Sequence, residues 1–202
     1  MKSVIAVQFG RKLSGRTNYR KRLALLKSNT PRLIVRKTLT SIILQVANFE
    51  EIGDKVLLTV TSKKLKSLGW KNSCKNIPAA YLTGLLIGKM ALAGSISKVT
   101  PDIGMQSVTN GGKIFAAIKG AKDAGLDIQI ADSVLPSSEA ISGAHIANYA
   151  KAAKHLQFSK NGAAAVTITK DFESVKAAIA SGGWQSVAGE AKHDTKRKSC
   201  KS

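Results

Sequence analysis

The 202-residue sequence predicts an α/β fold in which one sheet is covered mainly by helices. Three observations carry that reading. Three apolar runs of strand length follow one another on short connections between residues 32 and 62. A long helical run, apolar almost all round, comes next. Strand and helix patterns then alternate, which gives the order β-β-β-α-β-α-α.

The elements follow in chain order. "TNYRKRLALLKSN" (residues 17–29) reads as a short amphipathic helix capped by Thr17 or Asn18, and Pro31 bars its continuation. At 100° per residue Tyr19, Leu23 and Leu26 share the face expected to pack on the sheet, beside a strip of Arg16, Arg20 and Lys27. "RLIVRKT" reads as a strand. Its period of two sends Arg32, Ile34, Arg36 and Thr38 to one side and Leu33, Val35 and Lys37 to the other. "SIILQVANF" and "KVLLTVTS" are the next strands, with Gly53-Asp54 as the turn between them, and the three form an antiparallel meander.

Asn76 caps a helix with Pro78 in its first turn, which runs through "AAYLTGLLIGKMALAG" to Gly94 as the central buried helix. "ISKVTPDIGM" is the fourth strand, and Pro101 gives it an irregular or edge position. "GGKIFAAIKGAKDAG" is a helix with Ile114, Ile118 and Ala121 on its core stripe and Gly125 as its stop. "ISGAHIANYAKAAKHL" reads as one helix with Ile146, Tyr149, Ala150 and Ala153 at helical spacing, and "TKDFESVKAAIA" as another starting at Thr169. Trp70 reads as an apolar plug after a short helix. By charge and periodicity the chain divides into a basic arm (1–16), an α/β domain (17–158) and an extension (159–202) that ends in a basic, flexible tail.

Charge is the outlier. The formal net charge is +20, and residues 1–49 hold eleven Lys/Arg and no acid. Self-repulsion of that size opposes compaction, so a standing polyanionic partner is expected. Regularly spaced phosphates engage several cations at once and release counterions at each pairing, which favours nucleic acid. Arg outnumbers Lys between residues 10 and 36, as suits bidentate phosphate contacts. A membrane surface fits less well, because the 17–29 helix is short and its apolar face is better used against the sheet. "SKKLKSLGWK" adds a second cationic patch with Lys63, Lys64, Lys66 and Lys71 beside Trp70.

Enzymatic readings do poorly. "GLLIGKM" is one residue short of a phosphate-binding loop, lies mid-helix, and has Met90 where a magnesium-binding hydroxyl is required. His145, His155 and His193 have no partners at metal-ligand spacing. Asp102, Asp123 and Asp127 raise a metal-dependent nuclease, but they do not converge on one cleft as a two-metal site demands. No cofactor, metal or small-molecule substrate is expected. Cys74 and Cys200 are isolated, which fits a reducing compartment, and no uncharged run approaches the ~20 residues that span a bilayer. The expected setting is the cytoplasm.

Four blocks then carry a resemblance: "GRTNYRKRLALLKSNTPRLIVRKT", "GWKNSCKNIPAAYLTGLLIG", "DIGM…GGKIFAAIKGAKDAGL" and "GAHIANYAKAAKH". In these blocks the chain resembles the universal large-subunit ribosomal protein eighteen family in its archaeal branch. The resemblance implies a three-layered α/β fold of the translational-machinery, ribonuclease-H-like kind. It also implies a structural role: binding 5S rRNA and helping seat it on the large-subunit rRNA at the central protuberance, beside neighbouring ribosomal proteins. By matching block it assigns RNA contacts to Arg11, Lys12, Arg16, Arg20, Lys21, Arg22, Arg32, Arg36 and Lys37. Lys63, Lys64 and Lys71 follow more loosely. Two places depart from the family pattern: "TLTSII" lacks a His found near the second strand, and Gln129-Ile130 replaces a Pro-His pair.

Overall fold

The computed structural model describes residues 7–152, 165–183 and 185. Its centre is a four-stranded mixed sheet whose strands lie in the spatial order 55–61, 42–48, 32–37, 100–102, so the α/β class holds. Strands β1 (Arg32–Lys37), β2 (Ile42–Asn48) and β3 (Lys55–Thr61) form the antiparallel meander. Strand β4 keeps only three residues, Thr100–Asp102, and joins the edge parallel to β1. Pro101, which has no amide to donate, sits in the middle of this short edge strand. A single bridge, Lys98 to Asp127, is what remains of pairing before it.

The period-two pattern decides what each face of the sheet does. Leu33, Val35, Leu44, Val46 and Val60 are buried on one side. They pack against helix α3 (Ile77–Ala93), which runs through the core with thirteen residues buried. Asn76 caps it by accepting the Ala79 amide at 3.0 Å, and Gly94 ends it. Helix α4 (Lys113–Asp123) lies against α3 at very short range. A methyl on Gly84 would overlap the Ala117 carbonyl, and one on Gly120 would overlap that of Tyr81. These glycines therefore set the closeness of the pair.

Between β3 and α3 a tight 3-10 turn, Ser62–Leu68, ends at Gly69, whose φ of 89° is left-handed. Trp70 plugs the core behind it, and its indole nitrogen donates to the Ser73 carbonyl at 3.2 Å. Further on, the helix expected from residue 141 is two helices, Ser138–Ser142 and Ala144–Ala152. Gly143 breaks it at φ 80°, a left-handed conformation that favours glycine, with Pro78 and Ile168 packed close by. Ile146 and Ala147 face the core, whereas Tyr149 is 46% exposed, and Ala153 lies outside the described residues. The last helix, Ile168–Ala180, buries Ile168, Phe172, Val175 and Ile179 in the same core, with Phe172 against Tyr81. The basic tail lies outside the described residues. Among those residues no helix is long and apolar enough to cross a membrane.

The opposite face of the sheet carries Arg32, Ile34 and Arg36 of β1 and Gln45 of β2. The amino-terminal segment lies over it as a four-residue turn of helix α1 (Gly10–Leu13) and then helix α2 (Tyr19–Leu26). Asn18 caps α2 by accepting the Lys21 amide at 3.1 Å. The helix is rotated from the expected orientation. Leu23 is 59% exposed, while Asn18, Arg22 and Leu25 line the space above the sheet. The cause is an ion pair from Arg22 to the β2–β3 turn, which an inward Leu23 face would forbid. Tyr19 packs sideways on Phe9, ring centroids 5.2 Å apart.

Candidate nucleic-acid interface

Five charged side chains form one alternating chain across the uncovered side of the sheet. Arg22 of α2 donates to Asp54 Oδ1 at 2.7 Å. Arg32 Nη2 lies 2.7 Å from the same oxygen, a close ion pair in which the N–H is not directed well enough for a hydrogen bond. Arg32 Nη1 donates to Asp102 Oδ2 at 3.1 Å, and Arg36 Nη2 to Asp102 Oδ1 at 3.3 Å. Helix α2, strand β1, the β2–β3 turn and strand β4 are thus tied by three guanidiniums and two carboxylates. Burial alone would raise the Asp54 carboxyl, but the hydrogen bond from Arg22 and the charge of Arg32 outweigh it and hold it below the usual carboxylate value. The same hydrogen bond raises Arg22 further above its already high value.

This geometry sorts the predicted RNA-binding residues. Arg32 is 1% exposed and ion-paired to two carboxylates, so it cannot reach a phosphate from where it lies. Strand parity does send Arg32 away from the core, but α2 and Asp54 close over it. Arg22 is half-buried and engaged. Arg36 keeps a partly open guanidinium, with Nη1 donating to the Val35 and Asp102 carbonyls at 2.8 and 2.7 Å. Arg11, Lys12, Arg16, Arg20 and Lys21 are exposed and form no ion pair with any described carboxylate. Arg11 is oriented by a hydrogen bond from Nε to Thr17 Oγ1 at 3.0 Å. Lys37 is exposed, and its ammonium reaches the Ser107 carbonyl at 2.9 Å. Lys63 and Lys71 are exposed and Lys64 is half-buried; Lys63 and Lys64 lie within the 3-10 turn and Lys71 just after it, on elements that take no part in the arginine chain.

Between α2, the sheet and the loop after β4 lies a cavity of about 740 Å³. Arg11, Arg16 and Lys21 stand among its lining, with Leu25, Ile34 and Met105 as apolar walls. The carboxylates of the nuclease alternative do not meet there. Asp102 serves the arginines, Asp123 accepts the Tyr81 hydroxyl at 2.8 Å, and Asp127 lies near Lys98. No described group of three or more His, Cys, Asp or Glu is placed to hold a metal.

Comparison with known proteins bears on the same elements. Residues 4–98 match the family model described as "Ribosomal large subunit proteins 60S L5, and 50S L18". The large ribosomal subunit protein uL18 of the archaeon Methanococcus maripaludis is 42% identical over 166 residues, which is 79% of this chain and 86% of that protein. The chain belongs to the uL18 family. It falls in the archaeal branch, and the family is one of structural ribosomal proteins rather than enzymes. The family match spans the amino-terminal arm, the meander and the central helix. These elements build most of the cationic face, although the match stops short of Asp102.

Asp54 and Asp102 are the residues of this site that sequence reasoning missed. Asp54 reads as a turn former and Asp102 as a stray carboxylate. The signal that could have found them was register: a β4 parallel to β1 sets Asp102 opposite Ile34, between the two arginines of that face.

Proposed function

We propose that this chain binds 5S rRNA and helps attach it to the large-subunit rRNA at the central protuberance. The observation that carries the reading is the division of labour among the cations. Asp54 and Asp102 are consumed by Arg22, Arg32 and Arg36. The outer set of Arg11, Lys12, Arg16, Arg20 and Lys21 has no described counter-charge. Unbalanced cations on α1, α2 and the turn between them suit phosphates held at fixed spacing by folded RNA. Because side chains cannot read the deep A-form groove, selectivity comes largely from RNA shape. Lys37, Lys63, Lys64 and Lys71 form the outlying part of this surface, and Arg36 borders it. In this reading residues 1–16 act as a basic arm, 17–158 as the rRNA-binding domain and 159–202 as an extension, all within the cytoplasmic ribosome.

The test is salt dependence. Replacing Arg16, Arg20 and Lys21 together with Ala should weaken 5S rRNA binding. It should also flatten the log–log salt slope by ~0.7–0.9 for each phosphate no longer neutralised. Arg32→Ala should lower stability and leave the slope unchanged. A triple variant with the wild-type slope places the RNA elsewhere.

A further inference from the structure

The cavity above the sheet has the make-up of a base receptor, which phosphate binding alone does not require. Its volume of about 740 Å³ lies within the roughly 300–1,000 Å³ of sites that enclose small ligands. Its walls include Leu25, Ile34 and Ile103, each only half-buried by the rest of the protein. Apolar groups left partly wet beside a concentration of cations are ill-suited to a sugar-phosphate strand. They are well suited to an unstacked base whose own phosphate sits at the mouth with Arg11, Arg16 and Lys21.

One wall is a preformed stacking surface. The Arg36 guanidinium is fixed from several sides: Nη1 donates to the Val35 and Asp102 carbonyls, Nη2 donates to Asp102 Oδ1, and Gly104 presses against it. A Cβ on Gly104 would meet the guanidinium carbon at 2.9 Å, and the residue's φ of 70° favours glycine there. The Arg36 side chain nevertheless remains 36% exposed and lines the cavity. A guanidinium plane immobilised before the ligand arrives loses little entropy on stacking a base. Beside it Gln45 donates through Nε2 to Thr59 at 3.2 Å, which orients its amide oxygen as an acceptor for a base edge.

We infer that this cavity receives one unpaired nucleotide of the bound RNA, its base stacked on Arg36 between the apolar walls and its phosphate held by the cations at the mouth. The inference rests on the reading of this face as RNA-binding and adds to it a requirement for a single-stranded position. Recognition of unpaired bases on arginine planes is an established way for a protein to distinguish a folded RNA from a plain duplex.

The test compares two RNAs at one ionic strength: 5S rRNA, and a fully paired RNA duplex of the same length. Leu25→Trp fills the cavity from α2, and Met105→Trp blocks its mouth from an exposed loop whose change leaves the core untouched. Each should reduce the preference for 5S rRNA over duplex roughly tenfold, the size of one stacked base. In the wild-type protein, hydroxyl-radical labelling of Leu25, Ile34 and Met105 should fall when 5S rRNA binds and stay high with duplex. An unchanged preference in both variants, or equal protection by the two RNAs, overturns the inference and leaves the RNA-binding surface standing. Wild-type protein that binds neither RNA overturns both.

Discussion

Asp54 joins the amino-terminal helix to the sheet, since Arg22 and Arg32 both lie 2.7 Å from one of its oxygens. Arg32 is sealed, and its Nε has no partner among the described atoms, so this guanidinium depends on its two carboxylates for nearly all its compensation. Asp54→Asn removes one of them while keeping shape. At neutral pH the variant should be less stable than the wild type, because Arg32 keeps only Asp102 as a counter-charge. The pH dependence has a definite sign. The folded Asp54 carboxyl sits below its unfolded value of about 3.9, so its contribution is complete above that pH and vanishes as pH falls through the folded value. Urea midpoints for wild type and variant should therefore differ at neutrality and converge in acid below about pH 4. A constant gap across the acid range contradicts the assignment. The sequence showed the arginines and their parity. It did not show that Asp54 and Asp102, far apart in the chain, would come to lie beside them, because such pairing depends on how β4 adds to the sheet.

At the scale of elements, helices α3 and α4 meet through glycines where most helix pairs meet through larger side chains. The carbonyl of Ala117 occupies the space of a Gly84 methyl, and the carbonyl of Tyr81 that of a Gly120 methyl. Alanine raises helix propensity by up to ~1 kcal/mol over glycine, so on an exposed helix either substitution would stabilise. Here backbone must move, and overpacking costs typically ~1–3 kcal/mol or more. Gly84→Ala and Gly120→Ala should each lower the thermal midpoint, whereas Gly94→Ala, at the open end of α3, should change it little. Equal effects at all three positions would mean that the interface has slack. This contrast marks where the sequence is legible and where it is not. The Asn76 cap, Pro78 and the nearly all-apolar run locate α3 to within a residue, since each acts locally. The rotation of α2 was not legible, because an apolar stripe of Tyr19, Leu23 and Leu26 competes with the ion pair of Arg22, and only the tertiary partner decides between them. The break at Gly143 was hidden likewise: glycine within a helical pattern can continue the helix or turn left-handed, and here it takes φ 80° as the cap of Ser138–Ser142.

Over the whole molecule, a net charge of +20 sets two responses to salt with opposite signs. The internal arginine–aspartate chain is largely withdrawn from solvent, so added ions screen it weakly. The exposed cations of the amino-terminal segment repel one another across solvent, where screening is effective. Raising ionic strength from about 0.01 to about 0.15 M shortens the screening length from roughly 30 to 8 Å, which relieves that repulsion between neighbours on α1 and α2. The free protein should therefore become more stable over this range, with a higher thermal midpoint. Its affinity for RNA should fall over the same range, because counterion release is the source of that affinity. Neutralising Arg16, Arg20 and Lys21 should shrink both responses together, since the same charges produce both. Thermal scans and RNA titrations on one set of samples test the coupling. A free protein that loses stability as salt rises would show that ion pairs, and not surplus positive charge, dominate its electrostatics. The exposed cations of the amino-terminal segment would then have no standing need for a polyanion.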